Sequence, residues 1–334
     1  MSDPNQGFQP PPAPALPVAE VKAPRPVKLR IPAIVLFVLG LIILVAGIAK
    51  LLPGGFGTGA AFAFWGIMLF AFSFIRLPPA TGTEEPPLSG LQKVTGIFYE
   101  PTRVFQNLRV HPTWLAAFLV IGIVNAAYSV AFVQRLTPER IVDFRFEKLA
   151  DSPIKPPADK MEQAKADALQ AEKQPIQRVQ GVLTSFVGLF VFATFVAALC
   201  LLGVLAFGGR INFWQAEAAV MYSYLPVLVI MKLVSLIILY VKAPEDIHPI
   251  LNAETLLQDN LGILFKPADH PALFVLGSTI GVLSFYGLWL KAKGLANAGQ
   301  KVSLSSAWGV SITLFVLAMI LGMIFATLFS SFIS

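Results

Sequence analysis

The sequence predicts an all-α fold, a polytopic membrane helix bundle, and three observations predict it. Hydrophobic residues make up 56% of the 334-residue chain and charged residues only 13%. A soluble domain carries about 25% charged residues, so this chain has too few to cover a watery surface. Several apolar runs approach the ~20 residues that an α-helix needs to cross a bilayer. These runs do not alternate polar with apolar, which excludes a transmembrane barrel.

Taken in order, residues 1–29 form a low-complexity tail with prolines at 4, 10, 11, 12, 14, 17, 24 and 26. Such a segment cannot bury a core, and the expectation is disorder or polyproline II. It reads as a flexible tail or as a proline-rich ligand for a protein partner. Lys22, Arg25, Lys28 and Arg30 close it. The spans are expected at 31–52, 56–75, 114–133, 181–207, 218–241, 272–290 and 308–332, seven in all. The first two make a hairpin domain (30–76), joined by a Pro-Gly-Gly turn. A Pro/Thr/Glu linker (77–90) leads to a five-span domain (91–334).

The segment 96–114, GIFYEPTRVFQNLRVHPTW, is neither long and apolar nor loosely polar. Pro101 suits the first turn of a helix, where a missing N–H costs nothing. Val104, Phe105 and Leu108 then share one face, and Arg103, Gln106, Asn107 and Arg109 the other. This pattern predicts a short amphipathic helix in the membrane interface, with Arg103 and Arg109 at lipid headgroups and Phe105 among acyl chains. His111-Pro112 ends it, and Trp114 opens the next span as an interfacial anchor.

The order Gly, aromatic pair, Pro, Phe, basic residue, Pro, Trp resembles the start of the membrane domain of the Yip (Rab/Ypt-interacting) family in its bacterial form. A second segment at 207–226, FGGRINFWQAEAAVMYSYLP, is similar to the later family pattern of a tyrosine, a small residue and a proline entering a membrane helix. Eukaryotic members favour Gly before the tyrosine, whereas Met221 precedes Tyr222 here. The resemblance spans 91–334 and implies a five-span architecture, which leaves the first two spans unexplained. In eukaryotic relatives it implies binding of small prenylated GTPases; the expected location here is a bacterial cytoplasmic membrane, so only the architecture carries over.

Lys and Arg in the short loops orient the chain, because cytoplasmic segments retain them. Lys93, Arg103, Arg109, Arg210, Lys291, Lys293 and Lys301 fall on the side of the basic tail. That places the N-terminus in the cytoplasm and the C-terminus outside. The long outer loop 134–180 should hold a helix from Thr137-Pro138-Glu139, a break at Pro153, Pro156 and Pro157, and a solvated helix over 158–173. The outer segment 242–271 should pack back on the membrane surface, and Arg210 should pair with Glu217.

Small residues at four-residue spacing let membrane helices approach closely. They occur as Gly277 and Gly281, as Ala318, Gly322, Ala326 and Ser330, and as Thr184 and Gly188. These stripes read as packing within the bundle or as the face of a homo-oligomer. Lys232 is the charge deep inside a span, a functional candidate by default. Asn125 and Ser129 share a face of the third span and are expected to meet it. Tyr222, Tyr224 and Pro226 crowd the start of the fifth span, and Pro226 should bend it.

Motifs of soluble enzymes are missing from the sequence. His111, His248 and His270 are scattered, and Cys200 is the one cysteine. No phosphate-cradling loop, nucleophile elbow or zinc-protease motif occurs, so no catalytic residues, metal or cofactor are expected. Basic residues that track a membrane face give no support for nucleic-acid binding. The expected partners are membrane lipid and a protein engaged by the tail. Two functions follow: a membrane scaffold or adaptor, or a small-molecule or ion transporter with Lys232 on its path.

Overall fold

The structure, a computed structural model, describes residues 26–49, 51–52, 55–75, 86–150, 157–173 and 175–328. The proline tail before Pro26, Arg76, linker residues 77–85, Pro153, Pro156 and Ser330 lie outside the described residues. The described chain is helical: α1 (Arg30–Ile48), α2 (Gly55–Phe72), α3 (Gly90–Gly96), α4 (Pro101–Val110), α5 (Leu115–Leu136) and α6 (Pro138–Ala150). It continues with α7 (Ala158–Lys173), α8 (Pro175–Ala206), α9 (Phe213–Val241), α10 (Pro271–Thr279), α11 (Val282–Ala298) and α12 (Leu304–Leu328). Six of these, α1, α2, α5, α8, α9 and α12, are long and apolar enough to cross a membrane.

Hydrogen bonds assign the helix ends to two poles. At the first pole, the Arg30 Nε donates to Ser73 Oγ and the Trp214 Nε1 to the Ile75 carbonyl. Gln215 Nε2 donates to the Arg109 carbonyl, and Arg210 pairs with Gln300 as an antiparallel bridge. At the second pole, Arg135 and Arg140 donate to the Lys242 and Pro244 carbonyls. The two loop helices, α6 and α7, form as the sequence predicts, and Lys165 of α7 reaches Asp143 of α6 at 2.8 Å.

The expected sixth span, 272–290, is corrected: it is interrupted between α10 and α11. Gly281 is extended and caps α11 rather than continuing the helix. The segment 259–262 fills the break. Leu261 N–H donates to the Ile280 carbonyl at 3.1 Å, and the Asp259 carboxylate accepts from Leu283 N–H at 2.8 Å. Gly277 is close to this segment, where a Cβ would stand 2.8 Å from Gly262 N. Gly277 and Gly281 therefore admit the backbone of the 259–262 segment, not a neighbouring membrane span. Hydropathy alone misses such a break because the run 272–290 is apolar on both sides of it.

The other stripes divide. Ala326 is buried and Gly322 faces Val275 of α10, whereas Ala318 is exposed. Thr184 and Gly188 are exposed too, so their expected role in packing within the bundle does not hold. A glycine seam joins α1 to α2. A Cβ on Gly40 would lie 2.3 Å from Ala63 N, and one on Gly59 2.3 Å from Leu44 N. Rings fasten this hairpin to the rest: Trp65 lies 4.3 Å from Phe190 of α8, and Phe72 5.4 Å from Trp214 of α9.

Candidate functional site

Helix α9 is the axis on which the polar residues collect. Its start is fixed by a capping box in which Asn212 accepts from Trp214 N–H and Gln215 reaches back to Asn212 N–H. Interior Ala216, Ala218 and Ala219 are buried and let neighbouring helices close in.

At the first pole α4 lies against α9 and α11, and its apolar face does not meet lipid. Val104, Phe105 and Leu108 are buried in the protein core, and Phe105 packs over Gly294. The expected acyl-chain contact of Phe105 is thus replaced by a protein contact. Three apolar residues on one face cannot tell a lipid from a neighbouring helix, since both are equally apolar. Arg103 and Arg109 are exposed, as expected, and Arg103 pairs with Glu100 at 3.1 Å. Trp114 is not an exposed anchor: it is buried between Phe118 at 5.7 Å and Phe190 at 5.5 Å.

Two polar residues at this junction are buried, which corrects the expectation that Asn107 shares the exposed face of Arg103 and Arg109 and takes Lys93 off the surface. The Lys93 ammonium donates to the His111 carbonyl at 2.9 Å and to Thr113 Oγ1 at 2.8 Å. Burial holds its pKa down at about 8. Asn107 accepts from Leu88 N–H and donates to the Pro86 carbonyl, tying the end of the linker to α4.

Glu217 corrects another expectation. It does not pair with Arg210, which is exposed; it is fully buried, and Thr194 Oγ1 of α8 donates to its Oε1 at 3.3 Å. Its Oε2 has no hydrogen-bond partner among the described residues. Lys232 is therefore not the lone ionisable group inside a span. A buried intramembrane acid is a proton acceptor candidate.

Tyr222, Tyr224 and Pro226 do not join Lys232. Tyr222 is buried, and its hydroxyl lacks a partner among the described residues. Tyr224 turns toward Phe192 and Lys291 on another face. Pro226 sits inside the continuous helix α9 and has no N–H to offer the Tyr222 carbonyl. Lys232 lies two turns further on, at the second pole. Its ammonium donates to the Glu254 carbonyl at 2.5 Å and to Glu254 Oε2 at 3.3 Å, and stands 4.7 Å from the Tyr128 ring. Asn125 and Ser129 make no hydrogen bond to it. Tyr128, between them on α5, is the residue that does the meeting, and its hydroxyl donates to the Asn252 carbonyl at 2.6 Å. The 242–258 segment thus packs on protein, with Ile247 and Leu256 buried beside Tyr128 and Phe132.

Among the described residues no cluster of three or more His, Cys, Asp or Glu has the arrangement of a metal site. A family model, the Yip1 domain, matches residues 95–326, well over half of the chain. No curated protein and no solved structure matches it. The match begins at α3 and covers α4 through most of α12, leaving the α1–α2 hairpin outside.

Proposed function

The chain belongs to the Yip1 family and is a multi-pass membrane protein; from that premise we propose that it acts as a membrane scaffold or adaptor. The observation that supports this reading is the state of Lys232. A transport site needs an ion or substrate to reach its charged group. Here the Lys232 side chain is 4% exposed and is occupied by Glu254 and the Tyr128 ring. Its role is to hold the 252–257 segment against the bundle. The exposed basic side of α4 and the proline-rich tail, both expected in the cytoplasm from the Lys/Arg pattern, are the surfaces this reading offers to anionic lipid and to a protein partner. Purified wild type and Lys232→Met in proteoliposomes should give the same background flux for a panel of ions and small metabolites. A specific wild-type flux that Lys232→Met abolishes would replace the scaffold with a transporter. A reporter fused to the C-terminus and active only outside the cytoplasm should be active; a silent reporter on folded protein reverses the orientation.

One observation favours the transporter reading: the buried Glu217 with an unpartnered oxygen. A carboxylate that cycles protons would make flux depend on it, and Glu217→Gln would stop that flux while leaving the fold intact. Under the scaffold reading Glu217→Gln has no transport phenotype to show.

A further inference from the structure

A groove of about 410 Å³ opens between α8, α9, α11 and α12, within the size range of ligand sites. Phe192, Phe195, Tyr224, Leu283, Leu314 and Phe315 contribute to its apolar walls. Gly287 and Ala318 leave room along two of them. Lys291 is the one charged residue that lines it. Its ammonium stands 5.2 Å from the Tyr224 ring centroid, and no hydrogen bond or ion pair reaches it among the described residues. A cation held in apolar surroundings without an acceptor is costly, so the site is short of one anion.

The depth of that cation says where the anion comes from. Phe105 of α4 packs on Gly294 of α11 and beside Ser223 of α9, while the opposite face of α4 exposes Arg103, Gln106 and Arg109. Gly294 and Ser223 therefore sit at the level where the bundle meets the polar surface. Lys291 is three residues before Gly294, and Tyr224 one after Ser223. The ammonium is about one helical turn, roughly 5 Å, inside that level. A lysine at this depth reaches a headgroup phosphate, and the groove runs from it along the apolar interior.

We propose that this groove is a lipid site. It takes an acyl chain of an anionic phospholipid from the adjoining leaflet and places the headgroup phosphate on Lys291. A phosphatidylcholine would fill the groove equally well, but its own cation offsets the phosphate charge that Lys291 attracts. The proposal does not depend on the scaffold reading.

The test is native mass spectrometry of the full chain released from nanodiscs of phosphatidylglycerol and phosphatidylcholine in equal amounts. Wild type should retain phosphatidylglycerol over phosphatidylcholine by about fivefold, the worth of one lysine near an anionic headgroup. Lys291→Gln should bring the ratio to parity, and Lys291→Arg should keep it. Ala318→Phe, on the exposed wall, should lower retention of both lipids by filling the groove. No enrichment in wild type, unchanged enrichment in Lys291→Gln, or full retention in Ala318→Phe overturns the site. Displacement of phosphatidylglycerol by oleate at equal concentration overturns the phospholipid and assigns the groove to a free fatty acid. Should Lys291→Gln fail to fold, Lys291→Arg and Ala318→Phe still decide the matter.

Discussion

Lys232 and Glu254 meet across the second pole through both the carbonyl and the carboxylate of the glutamate, at 2.5 and 3.3 Å. The two side chains live in different surroundings: Lys232 is 4% exposed and Glu254 87% exposed. Removing the lysine therefore leaves an acid in water, not an unpaired charge in the core. The segment it holds has further ties, from Tyr128 to the Asn252 carbonyl and from the Leu256 and Leu257 N–H groups to Ser235 Oγ. Lys232→Met should fold and melt in detergent within about 4 °C of wild type, since the lost bond and the relieved desolvation oppose each other. Lys232→Met combined with Tyr128→Phe should melt lower and exchange the amides of 252–257 faster. Unchanged exchange in the double variant would show that neither residue holds the segment.

Lys93 predicts a pH dependence. Its folded pKa, about 8, is below the ordinary 10.5 because the ammonium is buried. Between those values the unfolded chain binds more protons than the folded one, so stability rises with pH across that window. Below pH 8 both states are protonated and the burial penalty of the charge is present in full. Wild type should gain a few degrees in melting temperature from pH 7.5 to 9.5 relative to Lys93→Met, which lacks the group. Parallel pH profiles would show that the folded ammonium titrates normally. The comparison of slopes separates this effect from the loss of the bonds to His111 and Thr113.

How far the sequence could be read varies with the physics involved. The long apolar runs give α1, α2, α5, α8, α9 and α12, because length and composition suffice in a membrane. Residues 158–173 and the start at Pro138 came from local propensity and capping, and α7 and α6 follow them closely. The break at Ile280–Gly281 did not, because it is held by Asp259 and Leu261, some twenty residues earlier in the chain. Likewise, no local pattern separates Glu217, buried against Thr194, from an acid at a loop end. Lys93 and Arg109 look alike as basic residues near a membrane, yet one is buried and the other exposed. Partner choice across helices, not residue type, decides these cases.

The α1–α2 seam predicts a sharp response to a single methyl or more. The atoms facing Gly59 are the Leu44 backbone N and Cα, at 2.3 and 2.6 Å from a built Cβ, and backbone cannot step aside. Gly59→Leu should force the two helices apart, toward the roughly 8–10 Å axis separation of side-chain-mediated packing. Spin labels at the exposed positions Ile34 and Phe70 should then report a longer separation than in wild type. Equal separations would mean the seam is not closed through Gly59.

Phe105 over Gly294 decides whether α4 belongs to the bundle or to the lipid. A Cβ at Gly294 would stand 3.0 Å from Phe105 Cε1 and 3.2 Å from Ser223 Oγ, so a larger residue must push the ring outward. Overpacking of this kind costs typically 1–3 kcal/mol, and Gly294→Val should lower the melting temperature accordingly. Phe105→Ala should cost more, about 3–5 kcal/mol, because it empties a fully buried ring site. Both should speed amide exchange across 101–110, where α4 would lose its hold on α11. A helix resting on acyl chains responds otherwise: Phe105→Ala would leave the melting temperature unchanged and weaken only the depth of insertion. The pair also tests itself. With the ring already gone, Gly294→Val has space to fill, so the double variant should melt higher than the sum of the single losses predicts. Simple additivity would show that Phe105 and Gly294 do not pack on each other.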